Sequence, residues 1–415
     1  MTQTQHQPGA QSSPETRGLP ADRTRFPCFD GYRAIAAMSV LVFHAGFYAD
    51  FTFREHPLGL TFLFARLDIG VAIFFLVSGF LLYRPFVVAH FERRPPPDVR
   101  SYARRRLLRI LPAYWAALTV GAFIFNYAPD VRTLRGFPIF YSLTQIYVPG
   151  RAVEGLGQAW SLCTELSFYA LLPVYAWMLG RRRRSPRRQL HVEIIGALAL
   201  YAGSFIFRLF ADAFFSHRAE MKFWLPANTD LFALGITIAV LSAWFTRRGT
   251  QPRLANHSAF PAVSWALAAL AFWVVSIPLD LRRHPFDAIS FNQDLARQTL
   301  YGLVAFFLLL PGVFGPQDRS RIRYFLKSRT VQFLGLVSYG IYLWHIWIIQ
   351  QIIRWMGLPA RGTGEWMRDI GSGKTANFPL VLAAGVLLTI AVAAISYRFV
   401  ERPFLRLKKR RVADR

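Results

Sequence analysis

Two ionisable residues stand in the first apolar run of the chain, FDGYRAIAAMSVLVFHAGFY at 29–48: Arg33 near its start and His44 within it. On insertion scales an ionisable side chain in hydrocarbon costs roughly 2.5–3.5 kcal/mol, so such residues face a polar interior and mark function. The two are eleven positions apart. At about 100° per residue a helix returns to within roughly 20° over that step, so both lie on one face, about 16 Å apart along the axis. A fixed cation at one end and a titratable base at the other suit a long molecule with an anionic head and a reactive end. Taken singly, each has a plainer reading: Arg33 as a snorkelling topology anchor, His44 as a packed, hydrogen-bonded core residue.

Other polar groups in apolar surroundings change that balance. Glu165, in QAWSLCTELSFYALLPVY, is expected about one turn below the external interface, near the depth of His44, where it could orient an imidazole or bind a hydroxyl. Ser78 precedes Gly79 midway along DIGVAIFFLVSGFLLYRPF, a small pair that permits close helix approach or ligand access. SYGIYLWHIW places Ser338, Tyr342 and His345 along one helical face. Asp230 is a further acid inside a span, with helix pairing as its alternative role. Arg104, Arg105, Arg106 and Arg109 lead into LPAYW; most such arginines set topology, and some can grip phosphates through their planar fork of donors.

These residues need helices to carry them. The chain has 415 residues, 53% of them hydrophobic, and its apolar runs of about 18 residues or more predict an all-α, polytopic transmembrane bundle. About ten spans are expected, near 30–48, 69–90, 108–126, 160–179, 192–210, 223–245, 259–279, 297–315, 333–353 and 378–399. The net charge of +26 is not a nucleic-acid face, because the arginine clusters alternate with apolar spans. FERRPPPDVRSYARRRLLR, GRRRRSPRR, FTRRGTQPR, DRSRIRYFLKSR and ERPFLRLKKRR all fall on one side, expected to be cytoplasmic with both termini.

Residues 1–28 read as a disordered cytoplasmic segment, 29–400 as the transmembrane domain and 401–415 as a basic cytoplasmic tail. The N-terminal segment lacks signal-peptide features, so the first span is expected to be an uncleaved anchor. Two cysteines, Cys28 and Cys163, give no disulfide framework and no zinc spacing, and no metal site is expected. GSGKT at 371–375 is not a P-loop, since Arg368 stands where the motif needs Gly. No internal repeat is evident that would favour a transporter.

In order along the chain, FDGYRAIAAMSVLVFH, DIGVAIFFLVSGFLL, RRRLLRILPAYW, WSLCTELSFY, SYGIYLWH and YRFVERPF resemble the bacterial acyltransferase-3 family of integral membrane O-acyltransferases, over about Phe29 to Phe404. The resemblance implies transfer of an acyl group, often acetyl, from cytoplasmic acyl-CoA to a hydroxyl of a glycan, glycolipid or secondary metabolite. It implies a multi-pass protein of the bacterial inner membrane; some relatives carry an SGNH esterase-like domain, and the short basic tail after the tenth span makes a stand-alone member the expectation here. His44 becomes the leading catalytic candidate as general base, with Arg33 and Glu165 beside it. Arg33, Arg104, Arg105 and Arg109 become candidates for CoA phosphates, and Ser78, Asp230, Ser338, Tyr342 and His345 for the acceptor. An acyl-histidine intermediate and direct transfer both stay open. The competing readings are an exporter of a glycan or acylated metabolite and an inactive envelope scaffold. The orientation is checked by alkaline phosphatase fusions: a fusion after Arg183 is expected to be inactive and one after Arg135 active, and the reverse pattern overturns it.

Overall fold

The computed structural model describes residues 26–53, 59–282, 289–358 and 376–407. The N-terminal segment to residue 25, the GSGKT stretch and the end of the basic tail lie outside the described residues. Those described form helices and connecting turns, with no β-strand among them. In chain order the helices are α1 (Phe29–Tyr48), α2 (Leu60–Phe64), α3 (Gly70–Glu92), α4 (Val99–Thr119), α5 (Gly136–Tyr141), α6 (Trp160–Gly180), α7 (Pro186–Phe215) and α8 (Thr229–Arg247). They continue with α9 (Phe260–Ser276), α10 (Phe291–Val313), α11 (Arg321–Leu326), α12 (Arg329–Leu336), α13 (Ser338–Trp355), α14 (Phe378–Ser396) and α15 (Arg402–Arg406).

Among the described residues, seven helical stretches are long and apolar enough to cross a membrane: Leu60–Glu92, Val99–Ile124, Gly157–Gly180, Pro186–Phe215, Leu225–Arg247, Phe291–Val313 and Phe378–Arg406. An eighth is added if α12 and α13 count as one span. The protein is therefore a multi-pass membrane protein. Two of the ten expected spans fall short of the same standard. α9 has only 17 residues, and α1, though 20 residues long, is diluted by Asp30, Arg33 and His44. Pro85, Pro112, Pro173 and Pro311 lie inside helices, which a bundle accommodates because neighbouring elements satisfy the freed carbonyls.

The ninth expected span, 333–353, is not one straight helix. α12 and α13 meet at a 71° bend, and Ser338 opens α13 with its hydroxyl on the Gly335 carbonyl at 2.8 Å. The bend has a packing cause: Gly335 abuts the Asp30 carbonyl, so α12 lies across the start of α1. α1 is enclosed by α3, α12, α13 and α14. Phe26 packs edge-on against Phe29 and Phe80, so the ordered bundle reaches back before residue 29.

α3 and α8 form the tightest pairing. Gly79 sits on the Phe232 backbone and Gly235 on the Leu76 carbonyl, contacts that leave no room for a Cβ. The segment between α4 and α6 packs into the main core: Val131, Phe140 and Ile146 are fully buried. Tyr114 holds the Phe140 carbonyl at 2.6 Å and Trp224 the Ile146 carbonyl at 2.7 Å. A Gly235→Leu change forces α3 and α8 apart and is expected to cost about 3 kcal/mol or more. Thermal unfolding of the detergent-solubilised protein, followed by size-exclusion chromatography, reads the loss; an unchanged transition rejects the close approach.

Candidate active site

The α1 stripe runs between two polar places. At the start of α1, Arg33 is held by Asp30 at 3.0 Å and lines a cavity with residues of α3, α4, α6 and α13. Arg106 and Arg109 enter it from α4, Ser78 from α3, Ser161, Glu165 and Tyr169 from α6, and Ser338, Tyr339 and Tyr342 from α13. Among its lining residues three guanidinium groups face one carboxylate. Glu165 is itself engaged: it accepts from Tyr169 at 2.6 Å and from the Ser78 hydroxyl. Ser161, Glu165 and Tyr169 follow one another at four-residue steps and so share a helix face.

The second place lies near the end of α1. His44 Nδ1 is 2.9 Å from the Val40 carbonyl and 3.1 Å from His345 Nε2, with the two ring centres 4.8 Å apart. His345 is fully buried, with Nδ1 2.8 Å from the Tyr342 carbonyl and 3.2 Å from that of Ile341. His44 keeps partial exposure. Neither histidine lines the cavity.

Tyr342 stands between the two places. Its hydroxyl donates to the Gln158 carbonyl at 2.8 Å and meets the Ser161 hydroxyl at 2.7 Å. The Gln158 amide bonds the Leu343 carbonyl at 2.8 Å. These bonds sink the start of α6 into the bundle and correct the expected depth of Glu165. Tyr342 meets Ser161 where α13 is three residues, about 4.5 Å, short of His345, and Glu165 lies a further 6 Å or so along α6. Glu165 therefore lies on the Arg33 side of the histidine pair, lining the cavity with Arg33. Phe80 stacking on Phe29 at 4.7 Å sets Ser78, and with it Glu165, level with the first turns of α1. The imidazole partner of His44 is His345, and Glu165 is not in hydrogen-bond contact with either ring.

Of the arginine cluster, Arg106 and Arg109 reach the cavity, whereas Arg104 and Arg105 lie exposed and Arg104 bonds the Leu407 carbonyl at 3.4 Å. Arg106 was visible as part of the run, but only the neighbouring helices decide which arginines turn inward. Ser161, Tyr169, Tyr339 and Gln158 escaped the sequence reading, although the four-residue spacing about Glu165 marks the first two. Asp230 lies elsewhere. It is buried, accepts from Ser204 at 2.9 Å and from Gln298 at 2.9 Å and 3.0 Å, and ties α8 to α7 and α10. Cys163 is buried in the core with its thiol on the Ala159 carbonyl. Among the described residues no group of three acidic, histidine or cysteine side chains could hold a metal.

The acyltransferase-3 family model, described as an acyltransferase domain, matches residues 26–398. The chain belongs to this family. It is 25% identical over 410 residues to the acyltransferase MdmB of Streptomyces mycarofaciens, covering 95% of each chain. It is 23% identical over 389 residues to the O-acetyltransferase OatA of Staphylococcus aureus, covering 91% of this chain and 57% of OatA. YrhL of Bacillus subtilis, named for a proposed peptidoglycan O-acetyltransferase activity, is 26% identical over 392 residues, with 91% of this chain and 54% of YrhL covered. The chain thus spans little more than half the length of YrhL and OatA. No solved structure matches it.

Asp230 separates structural from acceptor-binding roles. Asp230→Ala orphans two buried donors and is expected to cost about 1–3 kcal/mol of stability while leaving KM unchanged. A raised acceptor KM at wild-type stability would instead make it a substrate contact.

Proposed function

We propose that this protein is a membrane-embedded O-acyltransferase of the bacterial inner membrane, with ten spans and both termini cytoplasmic. It moves an acyl group, acetyl in the simplest case, from cytoplasmic acyl-CoA to a hydroxyl of a glycan, glycolipid or secondary metabolite. The observation carrying this reading is the α1 stripe. An arginine-lined cavity stands at one end and a histidine pair at the other, and Arg33 and His44 share the helix that joins them.

The chemistry follows from the side chains. Arg33, Arg106 and Arg109 bind donor phosphates through charge-assisted hydrogen bonds. The cavity is about 70 Å³, room for a handful of waters, so only the narrow phosphopantetheine arm threads it. The nucleotide stays on the cytoplasmic side. Extended past Phe74 and Tyr342, whose rings meet edge-on at 5.6 Å, the arm brings the thioester to His44. His44 takes the proton of the acceptor hydroxyl as its oxygen attacks the thioester carbonyl. The carbon–sulfur bond then breaks, and the thiolate leaves as CoA on receiving that proton from the imidazolium. The products are an O-acyl ester and free CoA. Glu165, held by Ser78 and Tyr169, lines the cavity with the arginines and sets where the donor's polar groups lie.

Vesicles containing the purified protein, given radiolabelled acetyl-CoA and candidate glycan acceptors, test the reading. His44→Ala is expected to lower label transfer by about 10²–10⁴-fold. Arg109→Ala is expected to raise the donor KM by about tenfold or more, the loss of one charge-assisted hydrogen bond. Equal transfer by wild type and His44→Ala overturns the base assignment. Movement of the acceptor across the vesicle without acylation supports an exporter instead.

A further inference from the structure

The two histidines are neither equivalent nor equally free. A carbonyl oxygen can only accept a hydrogen bond, so each ring nitrogen facing one must carry the proton. His44 Nδ1 faces the Val40 carbonyl, and His345 Nδ1 faces those of Ile341 and Tyr342. Both rings are therefore the Nδ1–H tautomer when neutral. His345 Nε2 is left with a lone pair 3.1 Å from His44 Nδ1, so the one His44 Nδ1–H is shared between the Val40 carbonyl and that lone pair. His44 Nε2, the nitrogen outside these bonds, is then unprotonated and basic. His345 is sealed, with no exposed surface and both nitrogens engaged, whereas His44 is partly exposed.

We propose that His345 is a positioning residue for His44, not an acceptor-binding residue. It holds the imidazole plane in the tautomer that the Val40 carbonyl sets, and it supports the positive charge that His44 gains as it takes the acceptor proton. When His44 Nε2 binds that proton, the His44 Nδ1–H becomes a charged donor, and its hydrogen bond to His345 strengthens. The proton stays on His44 and later passes to the leaving thiolate, and His345 keeps its single proton on Nδ1 throughout. The role resembles that of the third member of a catalytic triad, filled here by a neutral ring whose own tautomer is fixed by a helix backbone. Gln158 strengthens the support, because its amide also reaches the Tyr342 carbonyl, at 3.3 Å, and so fastens the start of α6 beside the histidine pair.

This inference rests on His44 as the base, and the two can fail separately. In the vesicle transfer assay His345→Leu is expected to lower kcat by about tenfold or more, a part of what a positioned base supplies, with KM for donor and acceptor unchanged. His345→Gln, which can offer an oxygen to His44 Nδ1–H, is expected to recover part of that loss. Wild-type kcat in His345→Leu overturns the inference, and so does a loss confined to the acceptor KM. Full transfer by His44→Ala overturns the underlying base assignment whatever His345 does. If the His345 variants do not fold, nitrogen-15 NMR of the wild-type protein with labelled imidazoles decides: a coupling across the hydrogen bond from His44 Nδ1–H to His345 Nε2 supports the proposal, and its absence, or Nε2–H on His44, overturns it.

Discussion

A guanidinium inside a bundle of apolar helices has no bulk water to turn to, so the structure must answer for each one it buries. Most of the buried arginines are closed off within the protein. Arg323 donates to the carbonyls of Pro311, Phe314 and Pro316, and Arg208 is shared between the Ala227 carbonyl and Asp294, which Arg297 also holds. Those groups have their partners and fasten loops and helix ends. The cavity is built differently. Arg106 keeps a buried Nε without a hydrogen-bond partner, and the one lining carboxylate is already taken by Ser78 and Tyr169. Excess positive charge in low dielectric is strongly felt, and an anion entering the cavity relieves it. On the proposed function the cavity arginines await the donor's phosphates, whereas Arg208 and Arg323 fasten the fold; an unpartnered Nε alone does not mark the difference, since Arg66, outside the cavity, also keeps one.

Holding such a cavity open requires rigid walls. α3 is clamped to α8 at Gly79 and Gly235, where backbones touch, and α12 is bent across α1 at Gly335. α1 is therefore fixed from several sides, and its stripe cannot rotate. A helix free to turn by one residue would swing Arg33 and His44 about 100° away from their partners. Close packing through small residues is what converts a sequence spacing into a fixed distance.

Much of this was legible in the sequence, and the limits have physical causes. The all-helical bundle followed from apolar run length, and the shared face of Arg33 and His44 from helical period. Depth was less legible. Hydropathy alone makes Trp160 the outer edge of a span and puts Glu165 near the depth of His44. The segment before α6 instead folds inward, because Gln158 and Ser161 find partners on α13. Hydropathy reports that a helix is apolar, not where in the bundle it starts. The inward face of the arginine run was equally hidden: Arg105 and Arg106 differ by one 100° step, and only the position of α6 and α13 favours the second. Asp230 reads in the sequence as a candidate acceptor contact or a helix-pairing acid, and the structure shows the pairing. Its donors Ser204 and Gln298 lie 26 and 68 residues away and could not be paired with it from spacing.

The separation of the two polar places has its own logic. An enzyme with a cytoplasmic donor and an acceptor approaching from the other side must join them without opening an aqueous pore through the membrane. Here the cavity ends at Tyr342 and the histidines lie beyond it. The intervening layer is stitched by Tyr342, Ser161 and Gln158 and backed by Phe74. These hydrogen bonds satisfy polar groups at mid-bundle and leave few sites for a continuous file of water. A thin, flexible arm can part such a layer where a hydrated ion would lose its shell. On the proposed function, the same residues that seal the protein at rest thus admit the donor, and the requirement for a seal explains why base and cation stand about 16 Å apart on one helix.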